Sequence, residues 1–126
     1  MILLDTNAVI RVFTGSPGLG AEAREAIASD HAHFSAVSVT EIVIKAMLGR
    51  VPGWPSLPDW LVRSGLHELP LKARHAQAIE SFPALTRHDP FDRMLLGQAK
   101  AEGMRLLTSD RVLLALGLDW IVDTRT

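Results

Sequence analysis

The chain has 126 residues, 48% of them hydrophobic and 21% charged, enough to bury a core, and one domain over residues 1–126 is expected. The absence of cysteine excludes a disulfide framework, a thiol nucleophile and a thiolate metal site, and it suits a reducing compartment. A formal net charge of −1 lacks the strongly basic footprint of a nucleic-acid binder, although the balance turns mildly basic once four acids are assigned to a cation.

In chain order, "MILL" (1–4) is a short apolar run ending at Asp5, the pattern of a buried strand. Its continuation "DTNAVIRVF" is broken by Asp5, Asn7 and Arg11. That is unlike a signal peptide, and no stretch approaches a membrane span, so a cytoplasmic location without membrane attachment is expected. "HAHFSAVS" (31–38) predicts a second strand around His33 to Ala36. "VTEIVIKAML" then sets Val39, Ile42, Val43, Ala46 and Met47 at helical spacing, and "GRVPG" ends that helix. A Pro- and Trp-rich segment (52–60) leads into a short helix, and "HELPL" (67–71) predicts a third strand. "KARHAQAIESF" predicts a helix, with Leu71, His75, Ile79 and Phe82 along one stripe. "DPFDRMLLGQAKAEG" predicts a helix closed by Gly103, followed by strand "MRLLTSD", short helix "RVLLALG" and final strand "DWIVDT". Apolar strands alternating with amphipathic helices indicate an α/β layered fold with a mostly parallel central sheet flanked by helices.

In such sheets ligands bind beyond the carboxyl ends of the strands, where strand order reverses. Asp5 and Asp110 both follow apolar strands. Asp89 is a good N-cap, Pro90 suits the first helical position, and Asp92 falls in the first turn, where a carboxylate complements the helix dipole. Glu41 stands three residues after Ser38, a capping-box spacing, while Asp5 and Asp110 could each cap a helix of their own. Capping alone accounts for each acid singly, at ~1 kcal/mol apiece. Gathered at one rim, four carboxylates would repel one another unless a cation neutralised them. Oxygen ligands without cysteine or a convincing histidine set suit Mg²⁺ or Mn²⁺ rather than zinc.

"MILLDTNAVI", "SAVSVTEIVIKAMLGRV", "HDPFDRMLLGQA" and "LLTSD" together resemble the PIN-domain ribonucleases, specifically the VapC toxins of toxin–antitoxin pairs, over nearly the whole chain. The resemblance implies a three-layer PIN-like fold and metal-dependent hydrolysis of RNA phosphodiesters. It makes Asp5, Glu41, Asp92 and Asp110 the catalytic, metal-binding set, with Asp89 as the helix cap. It also implies Mg²⁺ or Mn²⁺ as cofactor, an antitoxin protein whose tail covers the site, and commonly a homodimer.

Thr6, Thr108 and Ser109 adjoin two of the acids and could hydrogen-bond a metal-bound water or a phosphate oxygen, or serve as ordinary turn and cap hydroxyls. Lys45, one helical turn after Glu41, is expected to ion-pair with it, in preference to a phosphate contact. Arg93, which directly follows Asp92, could support the site or touch the substrate, but solvated surface is the safer reading of it and of Arg87 and Arg11. The "HAH" histidines read as strand alternation, and the tryptophans as packing or interface residues in preference to base stacking. A haloacid-dehalogenase-type phosphatase would need an acid where Asn7 stands, and a receiver domain would need paired acids after the first strand. A catalytically silent PIN-like interaction module is the remaining rival.

Overall fold

The computed structural model describes residues 1–29 and 31–126. In chain order the strands are Ile2–Leu4 (β1), Ala32–Ser35 (β2), His67–Leu69 (β3), Arg105–Thr108 (β4) and Ile121–Asp123 (β5). The helices are Thr6–Thr14 (α1), Ala21–Ser29 (α2), Ala36–Met47 (α3), Leu57–Arg63 (α4), Ala73–Ala78 (α5), Pro90–Glu102 (α6) and Arg111–Leu114 (α7). All neighbouring strands pair in parallel, in the order β3-β2-β1-β4-β5. The chain therefore builds outward from β1 through β2 to β3, then crosses back to lay β4 on the other side of β1. The reversal falls between β1 and β4, the two strands that end at Asp5 and Asp110.

β1 is buried on both faces and alternates between two cores. Ile2 and Leu4 pack with Phe34, Ala8, Val9, Leu57 and Leu61 on one side. Leu3 packs with Leu95, Leu96, Ala99, Leu106 and Leu113 on the other. Burial on both sides explains why this strand reads as an unbroken apolar run. The result is the expected three layers, helices on both faces of a parallel sheet.

The helix expected from Val39 begins instead at Ala36, and its N-cap is Ser35, whose hydroxyl accepts from the Val37 N–H at 2.9 Å. The Ser38–Glu41 capping box is thereby corrected. Ser35 wins because its hydroxyl also donates to Gln98 Oε1 on α6 (2.5 Å), a buried partner that fixes it at the strand end. Ser38 lies buried in the first turn and accepts from the Thr6 hydroxyl at 3.0 Å. Farther along α3, Ile42 is buried but Val43 and Met47 are 47% and 83% exposed, so the apolar stripe runs out onto the surface.

The helix expected over 72–82 is shorter. α5 ends at Ala78, a 3-10 turn carries Ile79, and Leu71 lies outside, exposed. His75 alone of that stripe is fully buried, its Nδ1 accepting from the Lys72 N–H at 2.9 Å. α2 had no counterpart in the expected elements. Among the described residues no helix is long and apolar enough to cross a membrane.

Candidate active site

Asp5, Asp89, Asp92 and Asp110 are placed by helix starts at the carboxyl rim of the sheet, whereas Glu41 is carried on the second turn of α3. Asp5 ends β1 and caps α1, accepting at Oδ1 from the Ala8 N–H (2.8 Å), while Oδ2 accepts from the Thr108 hydroxyl (2.6 Å). Asp110 follows β4 and caps α7 with Oδ1, which accepts from the Val112 and Leu113 N–H groups at 2.8 and 3.0 Å. Asp89 caps α6 through Oδ1, accepting from Phe91 and Asp92 N–H groups. Pro90 at the first helical position fixes the backbone angle there, and Asp92 is carried on the first turn. Glu41 is buried on α3, and its Oε2 accepts from Lys45 Nζ at 2.6 Å.

These groups meet. A cavity of about 230 Å³ is lined by Asp5, Thr6, Asn7, Glu41, Lys45, Asp89, Asp92, Ser109 and Asp110. It holds all four acids singled out in the sequence, together with Thr6, Lys45 and Ser109. Thr108 is fully buried behind it and links two of the acids, since the oxygen that donates to Asp5 also accepts from the Asp110 N–H at 3.0 Å. Arg93 is not on the wall. It is half-buried, with Nε lacking a hydrogen bond among the described residues, so the solvated reading is corrected. Arg11 donates to the Gly18 carbonyl and the Thr124 hydroxyl, a structural role, while Arg87 is exposed as expected.

The electrostatics are those of an under-neutralised cluster. Burial raises the Asp5 pKa; the hydrogen bonds from Thr108 and Ala8 oppose this, and repulsion from Glu41 and Asp110 adds to it. Burial, then repulsion from Asp110, Asp89 and Asp5, pushes Asp92 up to about 7, with His88 opposing. Glu41 Oε1 is buried and has no hydrogen-bond partner among the described residues. Buried carboxylate oxygens left unpaired are costly, and a divalent cation is the group whose chemistry fits such a set.

His88 completes the rim and was not among the sequence candidates. Its Nε2 lies 3.2 Å from Asp92 Oδ2 and 3.4 Å from Asp110 Oδ2. The three residues form a group spaced to hold an ion. The Asp92 contact has the i,i+4 spacing legible in "HDPFD", but Asp110 arrives from the end of β4.

Fold and rim define a parallel α/β protein with an acidic, cation-seeking centre at its topological switch point. The sequence matches the PIN domain family over residues 2–117, and the chain belongs to that family. The VapBC complex from Salmonella typhimurium, solved bound to DNA, is similar in structure at TM-score 0.68 and 21% identity, over 97% of this chain and 96% of that one. A toxin–antitoxin complex from Klebsiella pneumoniae gives TM-score 0.65 and 17% identity over 97% and 96% of the two chains. VapBC2 from Rickettsia felis, bound to a DNA fragment from its promoter, gives 0.66 and 14% over 98% and 97%. At these identities the likeness establishes the fold. No significant sequence match is found among curated proteins.

Proposed function

We propose that this chain is a metal-dependent endoribonuclease and the toxin of a toxin–antitoxin pair, hydrolysing RNA phosphodiesters. The observation that carries the reading is the convergence of Asp5, Glu41, Asp92 and Asp110 from separate elements onto one small polar cavity. These four would hold Mg²⁺ or Mn²⁺. When bound, such an ion lowers the pKa of a coordinated water and offsets charge developing on the phosphate oxygens.

The chain's own residues prepare that chemistry. Caps and the Thr108 hydroxyl fix Asp5 and Asp110 without consuming Asp110 Oδ2, so capping and ligation are compatible. Lys45 neutralises one oxygen of Glu41 and leaves the other unpaired. Its ammonium, with Asn7 and the Ser109 hydroxyl on the same wall, supplies donors for a substrate phosphate.

The solved structures similar to this chain are toxin–antitoxin complexes, which supports a protein partner here. A groove of about 410 Å³ beside α3, lined by Ile42, Val43, Ala46, Met47, Trp54 and Leu57 among others, supports the same partner. Homodimerisation and a cytoplasmic site of action belong to this reading. The groove would serve a catalytically silent interaction module equally well, which is the second reading.

Cleavage of a defined structured RNA in Mg²⁺ or Mn²⁺ separates the two. The expected result is cutting that EDTA abolishes and Asp92→Asn reduces by ~100-fold or more. No cutting together with no calorimetric metal binding favours the silent module.

A further inference from the structure

We propose that His88 is a direct nitrogen ligand of the cation held by Asp92 and Asp110, and that it biases this half of the site toward first-row transition ions over Mg²⁺. The inference rests on the reading above that the rim acids bind a divalent cation. The family likeness supplied carboxylates alone.

The spacing of the donor atoms is the first argument. Nε2 stands 3.2 Å from one carboxylate oxygen and 3.4 Å from the other, and all three ligand atoms lie within 4.8 Å of one another. Adjacent donors on an octahedral ion with ~2.1 Å bonds are separated by ~3.0 Å. On a tetrahedral ion with ~2.0–2.1 Å bonds they are separated by ~3.3–3.4 Å. The two nitrogen–oxygen spacings fall in the range of ligands that share an ion.

A simple histidine–carboxylate pair looks different. An imidazolium neutralising one acid donates along its N–H axis at ~2.8 Å. Here Nε2 is buried and, despite both short approaches, makes a hydrogen bond of acceptable geometry to neither oxygen among the described residues. The nitrogen lies within ion-pair reach of both acids without an aligned hydrogen bond to either. The oxygens it approaches are not spent on caps: Asp110 uses Oδ1 for α7, and Asp92 caps nothing.

Chemistry supplies the selectivity. Mg²⁺ is hard and takes oxygen ligands, whereas imidazole is a good donor to iron, nickel, copper and zinc; Mn²⁺ is the most oxygen-preferring of the first-row ions and gains least from it. Both close approaches of His88 Nε2 are to the Asp92–Asp110 flank, so the nitrogen donor serves that flank.

Mn²⁺ is the probe, because its pulsed EPR spectrum reports bound nitrogen without any need for activity. In the full-length protein carrying ¹⁵N-histidine, Mn²⁺ is expected to show ¹⁵N coupling that disappears in His88→Gln. Calorimetry is expected to show Ni²⁺ affinity falling ~10-fold or more in that variant, with Mg²⁺ affinity changing much less. The coupling in unsubstituted protein tests the idea even if His88→Gln fails to fold. Mn²⁺ binding that Asp92→Asn abolishes, but with no nitrogen coupling, overturns the role of His88 and leaves the carboxylate site standing. Failure of the unsubstituted protein to bind Mn²⁺ overturns both.

Discussion

Asp89 and Asp92 stand one turn apart yet have opposite tasks, and the difference is visible atom by atom. Asp89 spends Oδ1 on the Phe91 and Asp92 N–H groups at the start of α6, while Asp92 gives no oxygen to a cap and faces Asp110 and His88. Asparagine caps a helix about as well as aspartate, so Asp89→Asn should leave stability within ~0.5 kcal/mol, whereas Asp89→Ala should cost ~1 kcal/mol. The Asp89 charge also raises the Asp92 pKa, so its removal makes Asp92 easier to ionise. Asp89→Asn should therefore preserve or strengthen Mn²⁺ binding, while Asp92→Asn should abolish it. Chemical melts and calorimetry on the three variants test both halves. Loss of Mn²⁺ binding in a folded Asp89→Asn protein would mean that the cap residue is itself a ligand.

At the scale of elements, α6 was the most legible part of the chain, since Asp89, Pro90 and Gly103 mark both its ends. α2 was invisible for the opposite reason: its alanines and charges bury fully only Ala23, leaving no apolar stripe to read. The start of α3 was misplaced by three residues because Ser35 and Ser38 are equivalent locally, and the partner that decides between them, Gln98, is distant in sequence. Asp5, Asp92 and Asp110 were legible because strand ends and helix starts are local signals, whereas Glu41, in the second turn of α3, was legible through the family resemblance alone, its capping-box reading having failed. His88 was not legible, because one of its two neighbours is brought beside it by the crossover from β3 to β4. Gly97 tests how tightly α6 is held. A β-carbon there would meet the His75 carbonyl oxygen of α5 at 2.6 Å and Ile79 Cγ1 at 3.1 Å. Alanine would gain ~1 kcal/mol in helix propensity, but overpacking against backbone costs ~1–3 kcal/mol. Because the obstructing atom is main chain, the clash should win. Gly97→Ala is expected to lower the urea-melt stability by ~1 kcal/mol, and a stabilised variant would show that α5 yields.

For the molecule as a whole, the acidic rim should set how stability responds to pH and to metal. Burial and neighbouring carboxylates hold Asp92 protonated up to about 7 in the metal-free fold, against an ordinary value of 3.8, and burial raises Asp5 as well. A folded-state pKa above the unfolded one means that the folded chain binds more protons between the two values. That contribution to stability is fully present below the unfolded pKa and is lost as pH rises through the folded one. The metal-free protein should therefore melt at progressively lower temperature from about pH 4 to about pH 7. Asp92→Asn removes one of these two contributors, so it should lessen that decline and raise the melting temperature of metal-free protein at pH 8. A divalent cation binds the ionised acids, so its stabilisation should grow over the same interval and be greatest at pH 8. In the Asn variant the added metal should do little, even though that protein starts out more stable. Thermal melts of both proteins in EDTA and in Mn²⁺, across pH 4 to 8, measure all of these effects. A metal-free melting temperature that rose with pH, or an Asn variant less stable than its parent at pH 8, would contradict a rim strained by its own charge.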